Sequence, residues 1–330
     1  MIRVGLIGNG KISDTHKDAY ARMDNVSLEV YCDANPANLE GIEGARLYTD
    51  VTEMLQKEQG KLDYVDICLP TFLHPQVSIQ AMEMGFHVLC EKPMARTAED
   101  AQRMLEAAQR TGKKLMIAHC VRFGFEEMEM KKTILSGELG KVRSAEFSRE
   151  GNDYIDPSRI SKWFFNGDLS GGGMLDTHIH DVDLIRWFFG MPKALSSGAA
   201  SVLTNKGYDA MSTNYYYDNG LFVRASSDWT IAHDKFNTRT IRINFEKGYI
   251  FNDRTPGREA FVKVHEDGTV TDMLDQGKRD VYYNEILHFI DCIRNDKEIS
   301  QCPPVESAEA LQIVLAEIRS ADAMGEKIEL

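Results

Sequence analysis

Nowhere in the 330 residues does an apolar run approach the roughly 18 positions that a membrane-spanning helix needs. The N-terminal apolar stretch also breaks at Gly8, too early for the core of a secretion signal. The sequence therefore predicts a cytoplasmic protein with no membrane partner. Clustered Lys and Arg are missing as well: 38 Lys+Arg stand against 51 Asp+Glu, for a formal net charge of -13. That balance argues against a phosphate backbone, so no nucleic-acid partner is expected. The six cysteines, Cys32, Cys68, Cys90, Cys120, Cys292 and Cys302, contain no CxxC spacing, and they read as buried, reduced thiols used as small apolar residues. There is no low-complexity tract, internal repeat or long block of one charge sign. A share of 43% apolar and 27% charged residues then describes an ordinary globular chain.

A length of 330 residues exceeds one typical domain, so two cores are expected. Up to about residue 120 short apolar runs at 2–7, 27–32, 64–69, 87–90 and 114–118 alternate with stretches of helical period. This is the pattern of an α/β fold: a doubly wound parallel sheet covered on both faces. A second helix is expected to open at Asn35-Pro36, and later ones over 75–84 and 97–109. Beyond residue 120 the rhythm changes. Helices near 126–135, 176–189, 282–294 and 307–323 accompany strand-like runs at 142–149, 212–217, 221–228, 238–245, 249–252 and 260–265. Turns such as Asp218-Asn219-Gly220 separate the strands, as an antiparallel sheet requires. The expected division is 1–120 and 121–330, the second part being α+β.

"GNGKIS", Gly8 to Ser13, follows the first strand and opens the first helix. The match to the dinucleotide fingerprint is imperfect, because Ser13 stands at the third small position, but Asp33 ends the second strand about 20 residues on. Gly8 permits the tight turn, Gly10 lets backbone approach a pyrophosphate, and the helix start at Lys11 and Ile12 offers N–H groups. Asp33 suits the adenosine ribose hydroxyls of NAD. A 2'-phosphate would meet like charge, a repulsion on the order of 4 kcal/mol at ~4 Å and an effective dielectric of about 20. NAD is therefore expected over NADP, with Gly8, Asn9, Gly10, Lys11, Ile12 and Asp33 as its first contacts.

Ligands of such sheets sit outside the carboxyl ends of the strands. "LPTFLH" (69–74) and "EKP" (91–93) both fall there, so Leu69, Pro70, Thr71, His74, Glu91 and Lys92 join the cofactor set. In "GGGMLDTHIHDVDLIRWFFG" (171–190), a helix begun by Asp176 puts Asp176, His180, Asp183 and Trp187 on one stripe. His178 falls on the opposite face and reads as a packed or hydrogen-bonded histidine. A third metal ligand is not evident, and no metal is expected. A histidine oriented by a carboxylate suits alcohol oxidation, in which the hydroxyl proton leaves as hydride departs.

These segments together resemble the Gfo/Idh/MocA oxidoreductase family. "GNGKISDTHKDAY" is similar to its N-terminal turn, "LPTFLHPQVSIQAMEMGFHVLCEKPMA" to its TPxxxH and EKP region, "GGGMLDTHIHDVDL" to its Asp-x-x-x-His-x-x-Asp segment and "SAEALQIVLAEIRSADAMGEKIEL" to its closing helix. The resemblance implies an N-terminal Rossmann domain that binds NAD and a C-terminal domain whose large, mostly antiparallel open sheet makes oligomer contacts, in a dimer or tetramer. It implies hydride transfer at a carbinol of a sugar or polyol substrate. Lys92 would bond the reacting hydroxyl and the nicotinamide ribose, His180 would accept the proton and Asp176 would position one or the other. Arg122, Tyr154 and Trp163 would lie near the substrate. Ser13 and Phe125, which stands where relatives carry proline, depart from the family pattern. An NAD-dependent glycosidase and a non-catalytic NAD-responsive regulator are the alternatives on the same fold.

Overall fold

The structure, a computed structural model, describes residues 1–151, 163–230, 237–274 and 280–330. They form two compact units, 1–123 with 280–308 and 124–279 with 309–330. The chain thus returns to its first unit near residue 280, a crossing that the expected division at residue 120 does not contain.

The first unit runs β1 (Ile2–Ile7), α1 (Lys11–Ala21), β2 (Val26–Cys32), β3 (Arg46–Tyr48), α2 (Val51–Glu58), β4 (Tyr64–Ile67), α3 (His74–Glu83), β5 (His87–Glu91), α4 (Ala98–Thr111) and β6 (Leu115–Ala118). Its strands are parallel in the order β3-β2-β1-β4-β5-β6, the doubly wound Rossmann arrangement with its switch point between β1 and β4. Strands buried on both faces read as unbroken apolar runs, which is why β1, β4, β5 and β6 were legible. Helix α1 covers one face with α8 (Val281–Arg294), through Ala19, Tyr20, Ile286 and Phe289 against Val4, Tyr64, Leu89 and Met116. The other face is α2 and α3: Met54 lies over Gly5, and Ser78 lies beside Cys90.

Two expectations change here. Asn35-Pro36 opens only a single 3₁₀ turn, Pro36–Leu39, with the Asn35 side chain accepting the Ala37 N–H. The strand after it, β3, is three residues long and mostly exposed, too short to show a period.

The second unit holds α5 (Phe125–Ser136), β7 (Val142–Gly151), α6 (Gly167–Ser170), α7 (Ile179–Phe189), β8 (Ala194–Ala200), β9 (Ala210–Tyr216), β10 (Phe222–Asp228), β11 (Asn237–Phe245), β12 (Gly248–Asp253), β13 (Ala260–His265) and β14 (Val270–Asp272). Helix α9 (Pro304–Asp322) and β15 (Ile328–Glu329) end the chain. The nine-stranded sheet has the order β14-β13-β12-β11-β7-β10-β9-β8-β15 and is antiparallel except between β7 and β10. Residues alternate in burial along β10 and β11, so one face is packed; Phe222, Arg224, Glu146 and Tyr216 on the other are exposed. Strand β8 escaped notice because "ALSSGAA" carries little apolar contrast.

All six cysteines are unpaired and buried. Among the described residues no helix is long and apolar enough to cross a membrane.

Candidate active site

The turn after β1 is built around two glycines with different reasons. Gly8 has φ +92, and a Cβ there would lie 2.4 Å from the Cys68 carbonyl oxygen, so only glycine lets β1 and the chain after β4 run this close. Gly10 has an ordinary φ of -88, and a Cβ there would meet nothing within 4 Å. The open space in front of Gly10 is where a ligand fits. No side chain caps α1, whereas Asp50, Thr97 and Asp280 cap α2, α4 and α8. The Ser13 N–H bonds the Gly10 carbonyl at 3.1 Å, and an uncapped helix start of this kind suits an anion.

Ser13, buried at the third small position, donates its hydroxyl to the Gly10 carbonyl at 2.6 Å and tightens the turn. Asp33 accepts the Asn9 N–H at 2.8 Å through one oxygen and the Asn35 N–H at 2.8 Å through the other. Each oxygen keeps a lone pair, enough for two ribose hydroxyls. Asn9, Gly10, Lys11, Ile12, Asp33, Leu69, Pro70 and Lys92 all keep accessible surface at the carboxyl edge of the parallel sheet.

Behind them lies a strut that the sequence reading gave to the cofactor lining. His74 is 1% exposed, with Nδ1 2.8 Å from the Pro93 carbonyl and Nε2 2.8 Å from the Leu69 carbonyl. It sits between the two strand-end turns, where burial lowers its pKa, and a neutral ring donates to one of the two carbonyls. Thr71 and Glu91 are likewise buried. Glu91 accepts the Lys92 N–H at 3.1 Å, and its other oxygen lies 2.9 Å from His16 Nε2. His16 Nδ1 lies 2.8 Å from Asp66, which also accepts the Tyr20 hydroxyl at 2.8 Å.

Among the described residues, His16, Asp66 and Cys68 form the one cluster of metal-ligating types. Burial and Asp66 push the Cys68 thiol up to about 12, so it stays protonated, and the imidazole already bonds two carboxylates. This core cluster was not singled out from the sequence. Its signal was Asp66 itself, a carboxylate inside the buried run "YVDICLP" that only a partner makes tolerable.

In the second unit the segment of Asp176 starts not as an α-helix but as a π turn, Met174–His178, with α7 following. Such turns occur frequently at functional sites. The π turn alters the phase of Asp176 relative to His180, Asp183 and Trp187 on α7; Asp176 and His180 are half-buried, and Asp183 is buried at 1% exposure.

The segment is held from two sides. His178 is wholly buried, Nε2 lying 3.3 Å from Glu317 on α9, while Tyr215 of β9 donates to the same carboxylate at 2.5 Å. The reading of His178 as a hydrogen-bonded core residue agrees with this placement. Asp181 receives Arg149 of β7 in a bidentate pair at 2.7 and 2.8 Å. Arg239 of β11 lies 3.8 Å from Asp181 and pairs with Glu127 at 2.9 Å. Burial works against the Asp181 charge, yet Arg149 and Arg239 hold its pKa below the ordinary carboxylate value.

Arg122, expected near the substrate, is fully buried in the first unit and pairs with Glu306 and the Gln301 carbonyl. Trp163 packs edge-on against Phe164 at 5.7 Å, and Phe164 lies 5.3 Å from Trp229. Tyr154 lies outside the described residues.

Residues 2–119 match the oxidoreductase family with an NAD-binding Rossmann fold, and residues 128–251 match the Gfo/Idh/MocA C-terminal domain. The chain belongs to the Gfo/Idh/MocA oxidoreductase family. The matched residues 2–119 include the glycine turn, the start of α1 and Asp33. The chain is 27% identical to inositol 2-dehydrogenase of Rhizobium meliloti (strain 1021) over 323 residues, 91% of each chain. It is 29% identical to D-glucoside 3-dehydrogenase of Escherichia coli (strain K12) over 214 residues, which are 61% of this chain and 57% of that relative. The WlbA dehydrogenase of Bordetella pertussis, solved with NADH and UDP-GlcNAcA, superposes with a TM-score of 0.84 at 26% identity, covering 100% of this chain and 98% of that one.

Proposed function

We propose that this chain is an NAD-dependent dehydrogenase that oxidises a secondary carbinol of a sugar or cyclic polyol. Bound NAD supplies the hydride acceptor. His180 takes the hydroxyl proton on its ring as hydride leaves the carbon, Lys92 donates to the hydroxyl oxygen and to the nicotinamide ribose, and Asp176 positions the substrate or His180. The observation that carries this reading is local to the π turn and α7. Thr177, His178 and Asp181 are buried, the last two bonded to α9 and β7, while the neighbouring Asp176 and His180 keep accessible surface. A proton acceptor on a backbone anchored in this way needs less reorganisation during the reaction.

Residues 1–123 with 280–308 then serve as the NAD domain and 124–279 with 309–330 as the substrate and oligomer domain, with Trp163 as a substrate contact. The exposed sheet face carrying Tyr216 and Phe222 supports a homo-oligomer, dimer or tetramer. Six unpaired thiols support a reducing, cytoplasmic setting.

A panel of inositols, aldoses and glycosides incubated with NAD, and separately with NADP, tests the reading through absorbance of the reduced cofactor. Reduction of NAD by at least one of them is expected. Sugar release without NADH accumulation would assign the glycosidase reaction instead. Tight NADH binding with no turnover would assign the regulator.

A further inference from the structure

The mechanism leaves several buried ionisable groups of the first unit unused, His16 among them. His16 is fully buried, its ring between carboxylates from two neighbouring strands: Asp66 of β4 at 2.8 Å from Nδ1 and Glu91 of β5 at 2.9 Å from Nε2. A carboxylate only accepts, so each ring nitrogen must carry a proton to make its bond. The remaining bonding capacity of these acids is also directed. Tyr20 donates to the Asp66 oxygen that faces His16, and the Glu91 oxygen that does not face His16 accepts the N–H of Lys92 at 3.1 Å.

Other groups around the ring add no charge. Burial raises the pKa values of Tyr20 and Tyr64 and pushes Cys68 up to about 12, so all three stay protonated at neutral pH. The Tyr282 ring of α8 sits 5.8 Å from the imidazole, and its pKa is likewise raised. Burial is the largest single effect and opposes the charge on His16, but its neighbours, Asp66 first among them, together hold the pKa well above the ordinary value.

We propose that His16 is a positioning residue of the active site: a permanent imidazolium that fixes the Glu91 carboxylate beneath the Lys92 amide and thereby sets where Lys92 presents its ammonium. A neutral ring could donate to only one acid. Glu91 would then turn, and the backbone of Lys92 would lose its anchor. The proposal deepens the dehydrogenase reading and rests on it for the role of Lys92.

NMR of protein labelled with ¹⁵N-histidine, with His16→Gln to assign the ring, tests the charge without requiring turnover. Both ring nitrogens are expected to stay protonated above pH 8; a single neutral tautomer at pH 7 would overturn the proposal, whether or not His16→Gln folds. Amide exchange at Lys92 is the second readout, expected to be slow in the wild type and fast in His16→Gln or Glu91→Gln. In a folded His16→Gln protein, kcat on whichever carbohydrate is oxidised should fall by about 10²-fold through misplacement of Lys92, with NADH affinity little changed. Wild-type exchange and turnover in that variant would overturn it. A failed carbohydrate panel would sink the dehydrogenase reading, while the ring and amide measurements would still decide the charge and the clamp.

Discussion

Asp33 accepts the backbone N–H of Asn9 at 2.8 Å, joining the end of β2 to the glycine turn after β1. The carboxylate is thus fixed by backbone on one side and open on the other. Asp33→Ser should weaken NAD by about 10- to 100-fold, the range of lost hydrogen bonds to a charged group. It should also raise relative use of NADP, since the like charge is removed. KM values for both cofactors check this, and an unchanged NAD/NADP ratio would remove Asp33 from cofactor selection.

The two glycines of the turn should separate by experiment. Gly8→Ala forces a positive φ and a contact of 2.4 Å with backbone, so a loss of roughly 1–3 kcal/mol or more is expected. Gly10→Ala meets nothing and sits at an allowed φ, so stability should hold or rise by about 0.4–1 kcal/mol. Its NADH affinity should nevertheless fall, because the methyl occupies the ligand's approach. Urea midpoints paired with NADH fluorescence titrations distinguish the two.

Much of this was readable in the residues. Apolar runs placed β1, β4, β5 and β6, and Gly8 and Gly10 marked the turn between β1 and α1. What stayed hidden has physical causes. Strand β3 is too short for a period, and β8 is too weakly apolar. The π turn at Met174–His178 shifts the phase of Asp176 relative to α7, which a wheel drawn at constant spacing does not allow for, and the burial of Asp183 comes from packing that the wheel does not show. The partners of His16, Asp181 and His178 lie 50, 32 and 139 positions away in sequence, and no local pattern encodes such pairs.

Acid should loosen the second unit through Asp181. Its folded pKa is depressed below the ordinary carboxylate value of 3.8, so its contribution is present above that value and is lost as pH falls through the depressed one. Asp181→Asn should flatten that acid limb in urea titrations. Arg149→Met leaves the carboxylate buried without its bidentate partner and should cost about 3–5 kcal/mol at pH 7. A loss under 1 kcal/mol would mean that the pair does not anchor α7.

His87 gives a second window in the first unit. Burial, with Lys113 and Lys114, lowers it to about 4, and its Nδ1 accepts the Lys114 N–H at 2.9 Å. Its stabilising effect is complete above the unfolded value of 6.5 and fades as pH drops towards about 4. The ring proton resonances of His87 should titrate near the lower value; titration near 6.5 would contradict the neutral, accepting ring.

Replacement of His180 by Asn, assayed on the carbohydrate that the wild type oxidises and paired with an NADH binding titration, tests the central claim most directly. A kcat reduced by about 10²- to 10⁴-fold with NADH affinity unchanged is the expected result. Turnover equal to the wild type would contradict proton transfer at His180.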